Sequence, residues 1–531
     1  MPIRNSHPVS FFAQGLSDAF DQQSAFPGAC ASLANFIFDR STRGSVIARP
    51  GVTSASTFPG FSGLVGAISV MLAVGTRIYG MLVTTRNPGF DEPFVYETSN
   101  NTFITVSNVL AGNVPAAQGL TGAWTPPTID VIGTKVVVTH PGFSGANVIG
   151  WFDISTPATP SWNAGNTAVN ALPSKPQWVA QFFNRAYFGI GNAVYFTDSL
   201  NAVSISNANF AGVLTLGDTS STVGASGLAF STSSAGILSS LVVFKPNSIY
   251  QISGDITGTG STALSLNTMS ANIGSSSPRT FASTPQGIYF IASDGPRLID
   301  LRGQLQYLKR DDSVTPDVVA PFTNGTTLSR ACGSYNNGIY RVCLDTVVNN
   351  GGIGGPTAVP AADFWYDALF LRWTGIHTFG YHCIVPVGGS FYVASNAATG
   401  ILFKSDVVPT ASSVFSDNSI ATTCTMKSSL LTDPELMAVL CVVETTLEIS
   451  RLAPSALYTV TAIDDLNNTI DSVNVAYVGT PIFGVNHAAT VPWSKPIVFK
   501  KLFVQVSAAG ALGTAMRELK LRFQKLGNMN Y

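Results

Sequence analysis

The stretch "QFFNRAYFGIGNAVYFTD", Gln181 to Asp198, holds two aromatic-rich segments on either side of Gly191-Asn192. Alternating apolar residues broken by a Gly-Asn pair are the signal of a β-hairpin, because such residues accept the positive φ that a tight hairpin turn demands. The same phrase recurs along the chain. It is found in "GTRIYGMLVTT" (Gly75 to Thr85), "GTKVVVTHPGF" (Gly133 to Phe143) and "SLVVFKPNSIYQISGD" (Ser240 to Asp255). It returns in "PQGIYFIASDGPRLIDL" (Pro285 to Leu301), "YNNGIYRVCLD" (Tyr335 to Asp345) and "GGSFYVASNAATGILFKSD" (Gly388 to Asp406). Units of two to four strands spaced by roughly 40 to 60 residues are the spacing of propeller blades, whereas tandem sandwiches would repeat at about a hundred. The fold expected is mainly β: a propeller-like body of six or seven blades with a separate β-rich platform domain.

Three segments follow from this reading. Residues 1–63 form an N-terminal segment with a basic hairpin, expected to dock on the platform or on an adaptor. Residues 64–408 form the propeller-like body. The composition shifts after "VVPTASSVFSDNS", so residues 409–531 are expected as the C-terminal β platform. In its "ELKLRFQKL", Leu519, Leu521 and Phe523 alternate with Lys520, Arg522 and Gln524, which gives one buried and one basic face. "FFAQGLSDAFDQQSA" (Phe11 to Ala25) is the best candidate for a short helix, and the Gly/Pro-rich Asn349 to Ala362 is expected as an exposed loop tip.

Bulk properties bound the function. Charged residues make up 11% of the 531-residue chain, against about 25% in an ordinary soluble domain, and mean hydropathy is +0.28. So few charges leave a large surface poorly solvated, which points to burial against a membrane or against other subunits. The longest apolar run, Gly63 to Gly75, falls short of the roughly 20 residues that a spanning helix needs, and the N-terminus shows no signal-peptide pattern. A net charge of −1 lacks the basic excess of a duplex-binding protein. The six scattered cysteines contain no C-x-x-C pair and read as reduced, buried apolar residues of a chain made in a reducing cytoplasm.

Motifs of chemistry are sparse. "GDITGTGST" has the glycines of a phosphate loop but no lysine, and "GIGNAV" lacks the third glycine of a dinucleotide fingerprint. "GFSGA" and "GFSGL" misplace the second glycine of a nucleophile elbow. His377 and His382-Cys383 read as partly buried residues rather than a metal cluster. A propeller glycosidase would need paired carboxylates, for which Asp91-Glu92, Asp294 and Asp363 are candidates, but sialidase-type boxes are absent. A receptor-binding module would place Trp151, Trp162 or Trp365 in a shallow groove. The expectation is a chain that is not an enzyme and carries neither cofactor nor metal, with a propeller depolymerase or a receptor-binding tail module as the alternatives.

"FPGACASLANFIFDRSTRGSVIARPGV" (Phe26 to Val52) resembles the N-terminal region of the tail nozzle proteins of short-tailed bacteriophages, also called tail tubular or tail hub proteins, with Asn35, Arg40, Arg43, Arg49, Pro50 and Gly51 as the matching residues. Further phrases between residues 75 and 380, among them "NPGFDEPFVYETSNNTF" (Asn87 to Phe103) and "DFWYDALFLRWTGIHTF" (Asp363 to Phe379), are similar to such virion proteins. The resemblance implies a hexameric ring below the head-to-tail adaptor, a conduit that retains packaged double-stranded DNA and releases it without sequence-specific contacts. Tail fibre, spike or needle proteins are further partners so implied, and the location is the virion tail, assembled in the host cytoplasm. The low charge density suits large lateral contacts in a ring. On this reading Asn35 to Phe38 is a strand, and Arg40, Arg43, Arg49, Lys520 and Arg522 face a neighbouring subunit or the adaptor. Arg49-Pro50-Gly51 is then the turn into the first blade.

Overall fold

A computed structural model of the chain describes residues 9–10, 29–40, 45–57, 65–84, 89–117, 125–206, 212–232, 236–254, 264–309, 322, 328–349, 357–395, 401–409, 415–417, 419–432, 438–450, 455–478, 486–508 and 515–528. Among them nearly all regular structure is strand, and seven four-stranded antiparallel units dominate. The candidate helix between Phe11 and Ala25 lies outside the described residues, as does Arg43.

The opening hairpin forms as read. Trp178–Phe182, Arg185–Ile190, Ala193–Phe196 and Gly212–Thr215 make one unit, with Gly191 at φ 58° turning the second strand into the third. It is the third blade. The first runs from Val65–Val74 to Thr102–Ile104, the second from Thr128–Ile132 to Ser161–Gly165, the fourth from Gly224–Thr232 to Ser265–Ser270, the fifth from Ala282–Thr284 to Leu305–Tyr307, and the sixth, part of a larger sheet, from Cys332–Asn336 to Arg372–His377. The innermost strands of successive blades pack in a cycle, and the seventh blade's inner strand Tyr381–Val387 returns against Val65–Val74 of the first. The body is therefore a closed seven-bladed propeller.

Closure comes from the N-terminal side of the chain. Blade seven takes Tyr381–Val387, Ser390–Ser395 and Ile401–Asp406 from one end and Thr53–Thr57 as its outer strand from the other. Arg49-Pro50-Gly51 thus leads into the last blade, which corrects the expected entry into the first. Aromatic and branched side chains fill the spaces between blades: Tyr79 meets Phe152 edge-on at 5.4 Å, and Phe152 meets Trp162 at 5.1 Å. Each such fully buried side chain contributes about 1.5–3 kcal/mol, so the ring is held by many modest contacts. The expected loop tip at 349–362 is in part strand, since Ile339–Asn349 and Thr357–Asp367 pair as far as Asn349↔Thr357.

The platform is a pair of sheets. One joins Phe36–Phe38, Val46–Ala48, Ala515–Asn528, Ala438–Ser450 and Asn486–Thr490. The other joins Cys30–Ala34, Cys424–Ser428, Lys501–Ala508, Ser455–Asp464 and Thr469–Val478, and is continuous with blade six through Leu33↔Gly375. Phe36, Met426, Leu447, Tyr458, Val506 and Leu519 share its core. Both ends of the chain therefore build one platform, and the propeller is inserted between them.

Candidate functional site

Two places gather polar groups: the axial channel of the propeller and its joint with the platform. The channel encloses about 540 Å³ and is lined by the innermost strands of all seven blades. Asp130 projects into it. Its carboxylate accepts from the Gln181 amide at 2.6 Å and the Val131 amide at 2.8 Å, yet burial outweighs these donors and pushes its pKa up to about 6. Arg279, ahead of the fifth blade, reaches Ser69 O of blade one at 3.2 Å, the Cys383 thiol of blade seven at 3.4 Å and Arg330 O at 2.9 Å. One guanidinium thereby ties three sectors of the ring. Burial raises the Cys383 thiol to about 11, with Arg279 pulling the other way.

Asp130 is the one carboxylate lining the channel among the described residues. The carboxylates singled out in the sequence lie elsewhere. Asp91 and Glu92 are buried, Asp91 against His140 at 2.7 Å. Asp294 pairs with Arg297 in a turn. Asp363 is fully buried, accepting from Arg341, from Trp365 Nε1 at 2.7 Å and from the Tyr381 hydroxyl at 2.7 Å. Trp162 and Trp365 are buried too, so neither can line a shallow groove.

The motif with which the resemblance begins lands on the joint. Asn35 does not continue a strand. Its φ of 60° lets the chain cross from Cys30–Ala34 in one platform sheet to Phe36–Phe38 in the other, a conformation asparagine tolerates better than most residues. Its amide N–H donates to His377 Nδ1 at 3.0 Å, its side-chain amide donates to Thr423 O at 2.8 Å, and its Oδ1 accepts from Thr378 N at 3.1 Å and Arg49 Nε at 3.0 Å. A His377 Nδ1 that accepts leaves the proton on Nε2, which sits 3.2 Å from the Thr374 hydroxyl. Burial, with Arg49 and Arg341 nearby, holds the His377 pKa well below its ordinary value, so the ring is neutral.

Arg49 is 2% exposed and forms a two-pronged pair with Asp417, whose Oδ1 also accepts from the Val52 amide. Arg40 grips Asp367 with two bonds of 3.0 and 3.2 Å and donates to Asn337 O in blade six. The two described arginines of the motif thus spend their charge inside the chain, at the propeller–platform joint. This corrects the expectation that they face a neighbour; in sequence their partners stand 327 and 368 residues away. Pro50 lies at this joint, its carbonyl accepting from Arg49 at 3.1 Å. At Gly51 a Cβ would sit 2.1 Å from Ser416 O, so only glycine fits against that backbone. Lys520 and Arg522 do reach the surface, the former beside Glu518 at 2.5 Å and the latter beside Glu444 at 3.1 Å, while Leu519 and Leu521 are buried. The buried acid partners Asp367 and Asp417 were invisible to motif reasoning, because no local pattern marks a partner hundreds of residues away.

No protein-family model and no curated protein matches the chain. Among solved structures it is similar to Raptor of Chaetomium thermophilum (10% identity, TM-score 0.38), over 68% of this chain and 29% of that one. It is also similar to a puromycin hydrolase (11%, TM-score 0.36), over 71% and 61% of the two chains, so it spans less than two thirds of either protein. A third is the β-propeller domain of the Trilobed protease of Pyrococcus furiosus (10%, TM-score 0.33), over 65% of this chain and 96% of that one. These likenesses concern architecture alone. A puromycin hydrolase and two family 43 glycoside hydrolases also stand among the similar structures, which corrects the expectation of a chain that is not an enzyme.

Proposed function

We propose that the chain is a subunit of the tail nozzle of a short-tailed phage, a hexameric ring docked to the head-to-tail adaptor through which double-stranded DNA leaves the virion. The observation that carries this reading is the platform surface. In a chain with 11% charged residues, Val443, Val498 and Leu526 lie 57%, 47% and 55% exposed on three adjoining platform strands. Apolar exposure of that kind on a charge-poor molecule favours contact with further subunits. The propeller channel is not the conduit: about 540 Å³ spanned by Arg279 cannot admit a duplex whose major groove alone is about 12 Å wide. DNA therefore passes along the ring axis between subunits. The near-neutral chain offers few phosphate contacts that would hold it. Fibre, spike or needle proteins complete the tail below.

Co-expression with the adaptor and electron microscopy of the product tests the reading. A sixfold ring with an open axis, seated on the adaptor, is the expected result. Monomers in the presence of adaptor would refute it.

A further inference from the structure

The axial channel has two unlike walls. Blades two to six bring Asp130, Gln181, Ser226, Ser283 and Ser334 to its lining, whereas blades seven and one bring, apart from the Cys383 thiol, only apolar side chains such as Ile384 and Leu72. The polar groups around Asp130 share one level along the axis. Asp130 takes the Gln181 amide at 2.6 Å, a Cβ on Gly227 would lie 3.9 Å from the Gln181 carbonyl oxygen, and the Ser283 hydroxyl donates to the Gly227 carbonyl at 3.3 Å. Ser226 Oγ stands 3.1 Å from Ser283 Oγ, so it gives its hydrogen to Ser283 and keeps its lone pairs for a donor. A cavity of about 540 Å³ in which a few polar groups converge opposite apolar ones has the size and the make-up of a small-molecule pocket.

Asp130 stands out in this lining by its charge. Its oxygens take two backbone amides, and among the described residues no arginine, lysine or histidine pairs with it. Arg279, the one cation that lines the channel among the described residues, donates to Ser69 O, Cys383 and Arg330 O. Blade packing does not call for the charge. An asparagine oxygen would hold the Gln181 amide just as well, without the cost of taking a carboxylate out of water. A charge enclosed in this way is stabilised by a counter-ion, and the open side of the carboxylate is the channel.

We propose that the channel binds a small organic ammonium ion, its charged head on Asp130 and its apolar body along blades seven and one. An ammonium head carries three donors and no acceptor, which matches a carboxylate and the Ser226 lone pairs at the same level. A hard metal ion matches less well, since calcium takes six to eight oxygen ligands and Asp130 is the one carboxylate among the described lining residues. Arg279 limits the ligand to a single positive charge, because a second one farther along would share the cavity with a guanidinium. The site lies within one propeller and does not depend on the nozzle reading.

Calorimetric titration of the full chain at pH 7.5 tests this with n-butylammonium as the probe, and with butane-1,4-diammonium and calcium for comparison. Saturable binding of n-butylammonium is expected, tighter than that of either comparison ion and at least about tenfold tighter than in Asp130→Asn. D130N is expected to melt no lower than the wild type, so its lost binding is not lost folding. The pH dependence reports on the same carboxylate. Arg279 and the Cys332 and Cys383 thiols are the other ionisable groups in the described lining, and burial pushes both thiols up. Asp130, at about 6, is then the lining group that changes charge between pH 7.5 and pH 5. A cation binds its ionised form, so the wild-type affinity should fall about tenfold over that interval while D130N stays level. No saturation by n-butylammonium, equal affinity in D130N, a flat pH profile in the wild type, or a preference for the diammonium or calcium would each overturn the assignment.

Discussion

Replacing Asp363 with alanine should unfold the junction of blades six and seven. The carboxylate takes one bond from Arg341, one from Trp365 Nε1 at 2.7 Å and one from Tyr381 at 2.7 Å, and both members of the ion pair are shielded from water. The Arg341 guanidinium also lies 4.4 Å from the centre of the Trp365 ring and 5.1 Å from that of Tyr381, so aromatic rings enclose the charge that Asp363 balances. Stranding a buried charge costs about 3–5 kcal/mol, and each donor left without an acceptor adds about 1–3 kcal/mol. These contributions overlap, so a loss of at least about 5 kcal/mol is expected, against a whole-protein stability of about 5–15 kcal/mol. D363A should therefore yield little folded protein at 37 °C. The double variant Arg341→Met with Asp363→Leu should recover the share due to the stranded charge, because a packed apolar pair can replace a buried ion pair, and should keep the cost of Trp365 Nε1 and the Tyr381 hydroxyl left without their acceptor. Scanning calorimetry of the wild type and both variants decides the matter. A melting temperature for D363A within error of the wild type would refute the account of this junction.

Other consequences follow from the same geometry. The Asp130 carboxyl has a folded pKa of about 6, raised by burial above its unfolded value, so its charge destabilises the fold at neutral pH. Asp130→Asn should stabilise at pH 7 by about 1–2 kcal/mol, and the gain should fade as the pH drops from 6 to 4; a constant gain across that range would contradict it. Gly51→Ala forces a Cβ against Ser416 O and should destabilise by about 1–3 kcal/mol in chemical denaturation. Arg40→Glu sets a second carboxylate against Asp367 and should loosen the platform from blade six, read as faster hydrogen exchange at the Leu369 and Phe370 amides that Asp367 accepts from. Deleting residues 1–57 removes the outer strand of blade seven, and limited proteolysis should then cut within Ile401–Asp406, which the intact chain protects.

How much of this was legible in the sequence depends on the range of the interaction. The hairpin at Gly191-Asn192 and the alternation of Leu519 and Leu521 with Lys520 and Arg522 are local, and the pattern alone places them. The blades follow from repeating that local pattern. Closure of the ring is not local: Thr53–Thr57 pairs with a strand some 350 residues later, and nothing in "TSAST" announces its partner. The arginines of the N-terminal motif mislead for the same reason. On a charge-poor chain an arginine looks like a surface contact, yet Arg49 is held by Asp417, which folding alone brings near. Asn35 reads as the start of a strand because its neighbours are apolar, and only the crossing between two sheets reveals why it adopts a positive φ.

In the proposed nozzle this chain forms a ring and DNA passes along its axis. Cryo-electron microscopy of virions before and after ejection, with this chain carrying a small C-terminal tag, tests it most directly. Six tagged copies around an axial density below the adaptor, with that density gone after ejection, is the result the account predicts. A tag found off the tail axis, or in a number of copies that forms no ring, would contradict it.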